Sequence, residues 1–487
     1  MTENEPIKRP KPGEIVEGRV VDLAYGGAGV VKISNWVIMV RGAFPGELVR
    51  ILIRRKRKGI IEGDLAEILE ASPERVPAPC PHHPLCGGCA LQGLDPVAQT
   101  RYKADQALQL LRRIGKLEPA EVAAPWQSPS PYFYRNKMEF TFAPRPWLTK
   151  AEMEAEIPFG PGPALGLHPQ GCFQGVFNIE DCRLQSPLSN RIVAKVRELA
   201  QAMELPVYNS HRDEGLLRHL VVRQAATTDD LLVVLVVRQE DPSFLKLAQE
   251  LKAALPEITG IILSVNLRRS AVAIGDYDQT LVGESFWHER IMGIDYRIGA
   301  SSFFQTQTMG GLALLEEVIE AGKFCPEDRV LDLYCGIGAF SLPIARQVAE
   351  LLGVEVLPAA VEEARYNALA NDISNAKFIA SPVETKEKQP WEAPTGTDDA
   401  ASMGDHIARW DAIVIDPPRA GLHPKALAKV QAIAPPKIVY VSCNPSTLAR
   451  DAGILVEENG YLAKRLRVFD IFPQTPHLES VLLLEKA

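Results

Sequence analysis

Between residue 13 and about residue 70 the chain alternates apolar and polar positions in short runs broken by turn residues. Gly18-Arg19-Val20-Val21-Asp22-Leu23 leads into Tyr25-Gly26-Gly27-Ala28-Gly29-Val30-Val31, then Trp36-Val37-Ile38-Met39-Val40, the turn Pro45-Gly46, and Leu48-Val49-Arg50-Ile51-Leu52-Ile53. A period of two gives each strand one apolar face, and dense short strands between glycine and proline turns predict a small β-barrel. A Pro- and Cys-rich stretch fills 73–96. Val97 to Ile114 then carries the spacing of an amphipathic helix, which Gly115 ends. Residues 132–300 read as a β-rich mixed region, with apolar runs at Leu231–Val237 and Gly260–Val265.

From about residue 300 strands alternate with helix-length segments. The strands are Arg329–Leu333, Leu352–Glu355, Ala376–Ile379, Ala412–Asp416 and Ile438–Val441, with a last pair at Leu462–Asp470 and Ser480–Leu484. This order predicts an α/β class with a doubly wound parallel sheet. The Pro-rich stretch 144–163 and the low-complexity stretch 386–409 read as insertions. No fixed-period repeat is visible. A length of 487 residues suggests roughly three domains, at about 150 residues each.

Composition narrows the class further. Hydrophobic residues make up 46% and charged residues 23%, as in ordinary globular chains. No apolar run reaches the ~18 residues of a membrane span, and the first residues, MTENEPIKRPKPGE, lack the apolar core of a signal peptide, so the expectation is a cytoplasmic protein. The net charge of −8 does not announce a nucleic-acid binder. Positive charge can still concentrate on one face, and Arg50 with Arg54, Arg55, Lys56, Arg57 and Lys58 is the densest cluster. Taken alone, that run is equally the solvated tip of a hairpin. The eight cysteines are uneven: Cys80, Cys86 and Cys89, then Cys172 and Cys182, then Cys325, Cys335 and Cys443. This is a metal-site distribution upstream and separate chemistry downstream, rather than a disulfide scaffold.

Ligands of open α/β sheets bind beyond the carboxyl ends of the strands. Asp332-Leu333-Tyr334-Cys335-Gly336-Ile337-Gly338 follows the first strand, and its glycines admit a ligand close to the backbone. A third glycine of a dinucleotide fingerprint is missing, so phosphate binding is not indicated. Glu355 ends the next strand, where a carboxylate can accept from a ribose diol; a packing turn is the plainer alternative. Asp416-Pro417-Pro418-Arg419 ends the fourth strand, and its prolines stiffen the loop that holds the acid. Cys443 ends the fifth, before Asn444-Pro445, and Glu479 precedes the last strand. A packing cysteine has no reason to stand at the mouth of a sheet, whereas a lone glutamate is by default a surface residue.

The segments Phe304-Gln305, DLYCGIG, DPPRAG, SCNP and HLESV, in this order, resemble the RNA uracil-5 methyltransferases that make 5-methyluridine. The likeness covers nearly the whole chain and is closest to 23S rRNA enzymes with a TRAM domain and a [4Fe-4S] cluster. It implies a C-terminal Rossmann-like class I methyltransferase domain over 300–487. It further implies an OB-like TRAM barrel over 1–72, and a mixed α+β central domain with the cluster and an RNA-binding surface over 73–299. Carried over residue by residue, Cys443 is the nucleophile and Glu479 the base. Gln305, Tyr334, Glu355 and Asp416 line the site for S-adenosylmethionine and the target base. The implied partner is structured RNA, 23S rRNA first and tRNA as the alternative, bound by a monomer. Thiolate attack on C6 of uracil makes C5 nucleophilic, and a base then removes the C5 proton, which divides one hard step into easier ones.

Cys80, Cys86 and Cys89 lie in CPHHPLCGGC. The first gap is long for structural zinc, although His82 and His83 keep zinc as an alternative. In the family such a run plus one distant cysteine holds a [4Fe-4S] cluster; Cys182 matches the family position and Cys172 is the reserve. Tyr134-Arg135-Asn136-Lys137 combines a ring with cations suited to RNA, as Arg218, His219 and Arg223 do more weakly. The chain departs from the family at Ala339 and Pro382, where polar contacts to the cofactor are expected. Two other classes compete: a non-catalytic RNA-binding protein, and an iron–sulfur redox enzyme.

Overall fold

A computed structural model describes residues 9–57, 60–158, 160, 162–269, 272–392 and 410–487. Lys58 and most of the 386–409 stretch lie outside the described residues.

The first five strands, Ile15–Leu23, Ala28–Ile33, Trp36–Arg41, Leu48–Arg57 and Ile60–Glu70, close into a barrel in the order first, second, third, fifth, fourth. The expected alternation fills its interior: Val20, Val31, Ile38, Val40, Val49, Ile51, Ile53 and Ile61 form one buried cluster. Gly63 is required there, because a Cβ would lie 2.2 Å from the Ile51 side chain. Three cations of the basic run, Arg50, Arg54 and Arg55, are paired on the outside of the barrel. Arg50 pairs with Glu17 at 2.8 Å and Glu67 at 2.5 Å, Arg55 pairs with Glu62 at 2.7 Å, and Arg54 pairs with Asp64. These acids sit on neighbouring strands, so only the strand pairing reveals them.

The middle of the chain forms a seven-stranded sheet in the order Phe177–Asn178, Ala164–Leu167, Lys137–Ala143, Leu217–Gln224, Leu231–Val237, Gly260–Val265, Tyr277–Gly283. Helices Pro187–Ala202 and Ser243–Ala254 seal one face through Ile192, Val196, Phe244, Leu247 and Leu251. The opposite face, through Leu232, Val234, Val236 and Ile262, joins a core that runs on into the C-terminal sheet. The continuous apolar run Leu231–Val237 reflects burial on both faces.

The C-terminal sheet runs Ala376–Ala380, Glu350–Glu355, Arg329–Leu333, Ala412–Ile415, Lys437–Ser442, Glu479–Lys486, Tyr461–Asp470, and then the short strand Glu121–Val122. Its first five strands are parallel, and the last long pair is antiparallel. Alternate residues feed a core on each face, so the doubly wound expectation corresponds to what is seen. Strand order reverses between Arg329–Leu333 and Ala412–Ile415, which opens a crevice at their carboxyl ends.

Two details depart from the sequence pattern. The helix expected over 97–114 is Pro96–Leu110 followed by a widened turn at Leu111–Gly115. Glu121–Val122 and Trp126–Gln127 then pair with Tyr461–Asp470, so this part of the region 73–299 packs on the C-terminal sheet. Strands of two residues carry no periodicity, and no sequence pattern marks them. The buried pair Lys103–Asp470, at 2.5 Å, fastens the helix to the sheet. No helix among the described residues is long and apolar enough to cross a membrane.

Candidate active site

The crevice is part of a cavity of about 1000 Å³. Its lining includes Gln305, Tyr334, Glu355, Asp416, Cys443 and Glu479, and also Cys80, Cys86, Cys89 and Cys182. The residues chosen first in the sequence for catalysis, cofactor and metal therefore meet one space, while Cys172 and His82 lie outside its lining.

Cys443 follows the strand Lys437–Ser442, and Asn444 caps the next helix, Pro445–Asn459, by accepting from the Ser446 N–H. Pro445 at the first helical position needs no donor of its own. The Asn444 amide also donates to the Arg419 carbonyl at 2.9 Å, which stitches this turn to the Asp416-Pro417-Pro418-Arg419 loop. Burial pushes the Cys443 thiol up to about 11, and the carboxyl groups of Glu479 and Asp416 add to the rise. The Arg419 guanidinium opposes them. Arg419 also approaches Nδ1 of His477 at 3.4 Å, and burial followed by the charge of Arg419 lowers that imidazole to about 4. His477 is therefore neutral and can accept from the guanidinium.

The acids share a desolvated pocket. Glu479 is the first residue of its strand and 6% exposed; burial, then Asp416, raises its carboxyl well above the usual range, against the pull of Arg419. Burial alone lifts Asp416 to about 7. Asp332, beneath them, is likewise raised to about 7 by burial, although the Ser341 hydroxyl donates to it. Glu355 is instead well solvated by backbone donors. One oxygen accepts from Val356 N–H at 2.8 Å and Leu357 N–H at 2.9 Å, and the other from Gly336 N–H at 3.2 Å. A carboxylate offers about four acceptor sites, so the second oxygen keeps capacity for a ligand. Tyr334 holds φ at +67°, a left-handed conformation that is uncommon for a bulky residue and gathers at functional sites. Its hydroxyl is buried without a hydrogen bond of ordinary geometry among the described residues, and burial together with nearby Glu384 raises its pKa.

Cys80, Cys86, Cys89 and Cys182 approach one another on the opposite wall. Burial lifts Cys86 to about 11 and Cys89 to about 12, and charge on their fellow cysteines raises both further. Cys172 does not line the cavity, which favours Cys182 as the fourth member. Among the described residues no three His, Cys, Asp or Glu side chains are gathered closely enough to hold a single metal ion. His82 is otherwise engaged: its Nε2 accepts from the Glu180 and Asp181 backbone N–H groups at 3.1 and 3.3 Å, tying the Cys80–Cys89 loop to the segment that carries Cys182.

The sequence profile of the tRNA (uracil-5-)-methyltransferase family matches residues 188–487, more than half of the chain. An uncharacterized RNA methyltransferase of Halalkalibacterium halodurans is 34% identical over 97% of each chain, and one of Chlorobaculum tepidum is 34% identical over 98% of each. Among solved structures, the Pyrococcus abyssi tRNA (uracil-54, C5)-methyltransferase in complex with S-adenosyl-L-homocysteine is similar over 96% of this chain and 99% of that one, with a TM-score of 0.71 and 27% identity. This chain belongs to the RNA uracil-5 methyltransferase family.

In this methyltransferase several cations expected to face RNA are structural. Arg218 is buried, donates to the carbonyls of Asn266 and Arg268, and stacks over Tyr208. Arg223 is buried beside Trp287 and donates to the Ser302 carbonyl. Burial lowers His219 to about 4. Of Tyr134-Arg135-Asn136-Lys137, only Arg135 and Lys137 line the cavity. The Tyr134 hydroxyl donates to the Pro473 carbonyl at 2.8 Å, and the Asn136 amide to the Gln305 carbonyl at 2.8 Å, so these two fasten the central sheet to the catalytic loops. Sequence reasoning missed Arg419 and His477. Both stand inside segments it quoted, but their partners come from other loops.

Proposed function

We propose that this methyltransferase transfers a methyl group from S-adenosylmethionine to C5 of a uridine in 23S rRNA, with Cys443 as nucleophile and Glu479 as base. One observation carries the reading: Cys443 stands against the carboxyl groups of Glu479 and Asp416, in the same cavity as Glu355, Tyr334 and Gln305. Bound S-adenosylmethionine supplies an electrophilic methyl group, and Glu355, Tyr334 and Gln305 are the residues that would hold it.

The chain's own residues do the rest. The Cys443 thiol gives its proton to solvent, with Arg419 supporting the thiolate, and the sulfur bonds to C6 of a uracil taken out of its stack. The electrons displaced onto C4=O make C5 nucleophilic, and C5 gains the methyl group. A Glu479 carboxylate then takes the C5 proton, the C5=C6 double bond reforms, and the thiolate leaves. Burial holds the Glu479 carboxyl well above the usual range, so positive charge entering the cavity favours its ionisation.

The upstream cysteines support a [4Fe-4S] cluster held by Cys80, Cys86, Cys89 and Cys182, in a structural role. Four thiolates are the usual ligation. A four-iron core takes one thiolate per iron and spreads its ligands wider than one tetrahedral ion does. That fits four thiols close enough to feel one another's charge. The barrel fits a TRAM-like RNA-binding module, and the chain divides near residues 72 and 299 in this reading. The same chemistry on tRNA is the second reading, favoured by the tRNA enzyme among the similar structures.

RNA carrying 5-fluorouridine tests the chemistry, because fluorine at C5 cannot leave as a proton. Wild type should form a stable adduct and Cys443→Ala none; an adduct persisting in the mutant would exclude Cys443. Offering 23S rRNA and tRNA separately decides between the two substrates.

A further inference from the structure

Phe133 stands in the bend just before the strand Lys137–Ala143, with φ at +56°. An aromatic residue meets a steric penalty in the left-handed region that glycine does not. Such strain persists where the surroundings over-determine it, and it gathers at ligand sites. Here the surroundings do so. The Phe133 N–H donates to the Arg183 carbonyl at 2.8 Å, the Arg135 N–H to the Leu184 carbonyl at 2.9 Å, and Tyr134 is pinned to Pro473. The backbone is clamped on both sides of Phe133, yet the residue remains 46% exposed. Burial therefore does not explain why a phenylalanine occupies the position.

Its neighbours do. The Arg183 guanidinium lies 5.9 Å from the centre of the Phe133 ring and is steered by Asp181 at 2.8 Å. Arg183, Arg135 and Lys137 line the cavity, and the ring stands beside the first of them and two residues along the chain from the second. A flat exposed ring beside guanidinium groups is the combination that holds an unpaired base and its phosphates.

We propose that Phe133 is a stacking platform for an unpaired RNA base flanking the uridine that enters the cavity, with Arg183 and Arg135 facing the adjoining phosphates. The platform rests on the proposed RNA chemistry of the same cavity. It keeps a neighbouring base occupied while the target base is extruded, and so favours substrates whose target lies in a loop.

The test measures affinity for 23S rRNA fragments, tRNA transcripts and a single-stranded uridine oligonucleotide, alongside melting temperature. Phe133→Gly and Phe133→Ala should each bind the preferred RNA about tenfold more weakly, the worth of one stacked base, and Phe133→Trp should bind as tightly as wild type. Phe133→Gly should melt above Phe133→Ala, because glycine relieves the strain that alanine keeps. The salt dependence of binding should not change with any Phe133 variant, whereas Arg183→Ala should flatten it. Wild-type affinity in Phe133→Gly, with the Cys443 adduct still forming, overturns the platform and leaves the chemistry standing. A Phe133→Gly that melts well below wild type shows that the ring packs, and also overturns it. Absence of the adduct in wild type on every RNA refutes both.

Discussion

Two sets of thiols face one cavity, and what surrounds each set differs. Cys443 has the Arg419 guanidinium near it, a helix beginning just after it, and two carboxyl groups against it. Cys86 and Cys89 have other cysteines as their charged neighbours, and their donors are the neutral Gly88 N–H and the Gln92 amide. The first setting suits a thiol that must ionise briefly, attack and be released unchanged. The second gathers thiols whose nearest ionisable neighbours are other thiols, the setting that the proposed cluster ligands need. Burial alone does not distinguish the two roles, because it raises Cys443 and Cys86 alike to about 11. The identity of the nearest charge does.

Removing one thiol from each set breaks the comparison most directly. Cys89→Ser should take anaerobically purified protein from about four irons per chain to almost none, while Cys443→Ser leaves iron unchanged. Equal iron in the two variants would erase the distinction.

Taking away the cation should have the next largest effect. Arg419→Ala should slow adduct formation with 5-fluorouridine RNA about 100-fold at pH 7.5, the scale of losing one charged stabiliser. Since Arg419 lowers the thiol pKa, its loss raises it, so the deficit should shrink at pH 9.5. Quenched time courses at the two pH values read this, and a deficit independent of pH would reduce Arg419 to a scaffold.

A smaller effect concerns stability. The carboxyl of Asp416 is raised from the usual range to about 7 in the folded protein. A raised value stabilises the fold fully below the unfolded pKa of about 4, and that contribution is lost as pH rises through about 7. Wild type therefore carries the full cost of the buried charge at pH 8. Asp416→Asn should raise the melting temperature at pH 8 by several degrees, bring no gain at pH 4, and abolish turnover.

The smallest effect is expected on the barrel. Arg54 and Arg55 are already paired with Asp64 and Glu62. Replacing both by alanine should change RNA affinity less than about threefold, because exposed ion pairs are worth little. A larger loss in filter binding would show that RNA takes these cations from their acids.

Much of this was legible in the chain. Runs such as Ala412–Ile415 and Lys437–Ser442 are short and apolar, and each ends in a proline-stiffened turn, so Asp416 and Cys443 could be placed at a sheet mouth before any coordinates. Barrel strands were equally plain from alternation. What stayed hidden depends on partners across the fold. Arg218 and Arg223 lie in LRHLVVRQ, five residues apart, a spacing that a strict period of two sends to opposite faces; cores on both faces of that sheet bury them. Tyr134 looked like a stacking ring until Pro473 claimed its hydroxyl. Arg419 was quoted as part of a motif, but its approach to a thiol in another loop follows from the three-dimensional crossing of two turns.

The fastening of Pro96–Leu110 to the far end of the chain has a kinetic side. Lys103 with Asp470, Gln99 with Gln474 and Tyr134 with Pro473 join positions 367, 375 and 339 residues apart. Closing loops of that length is slow, and contacts of such sequence separation form late in folding. The cavity therefore closes late, after the barrel and the two sheets have formed separately. Cys443, Cys86 and Cys89 owe their burial to that closure. Assembly of the cavity and protection of its thiols are one event.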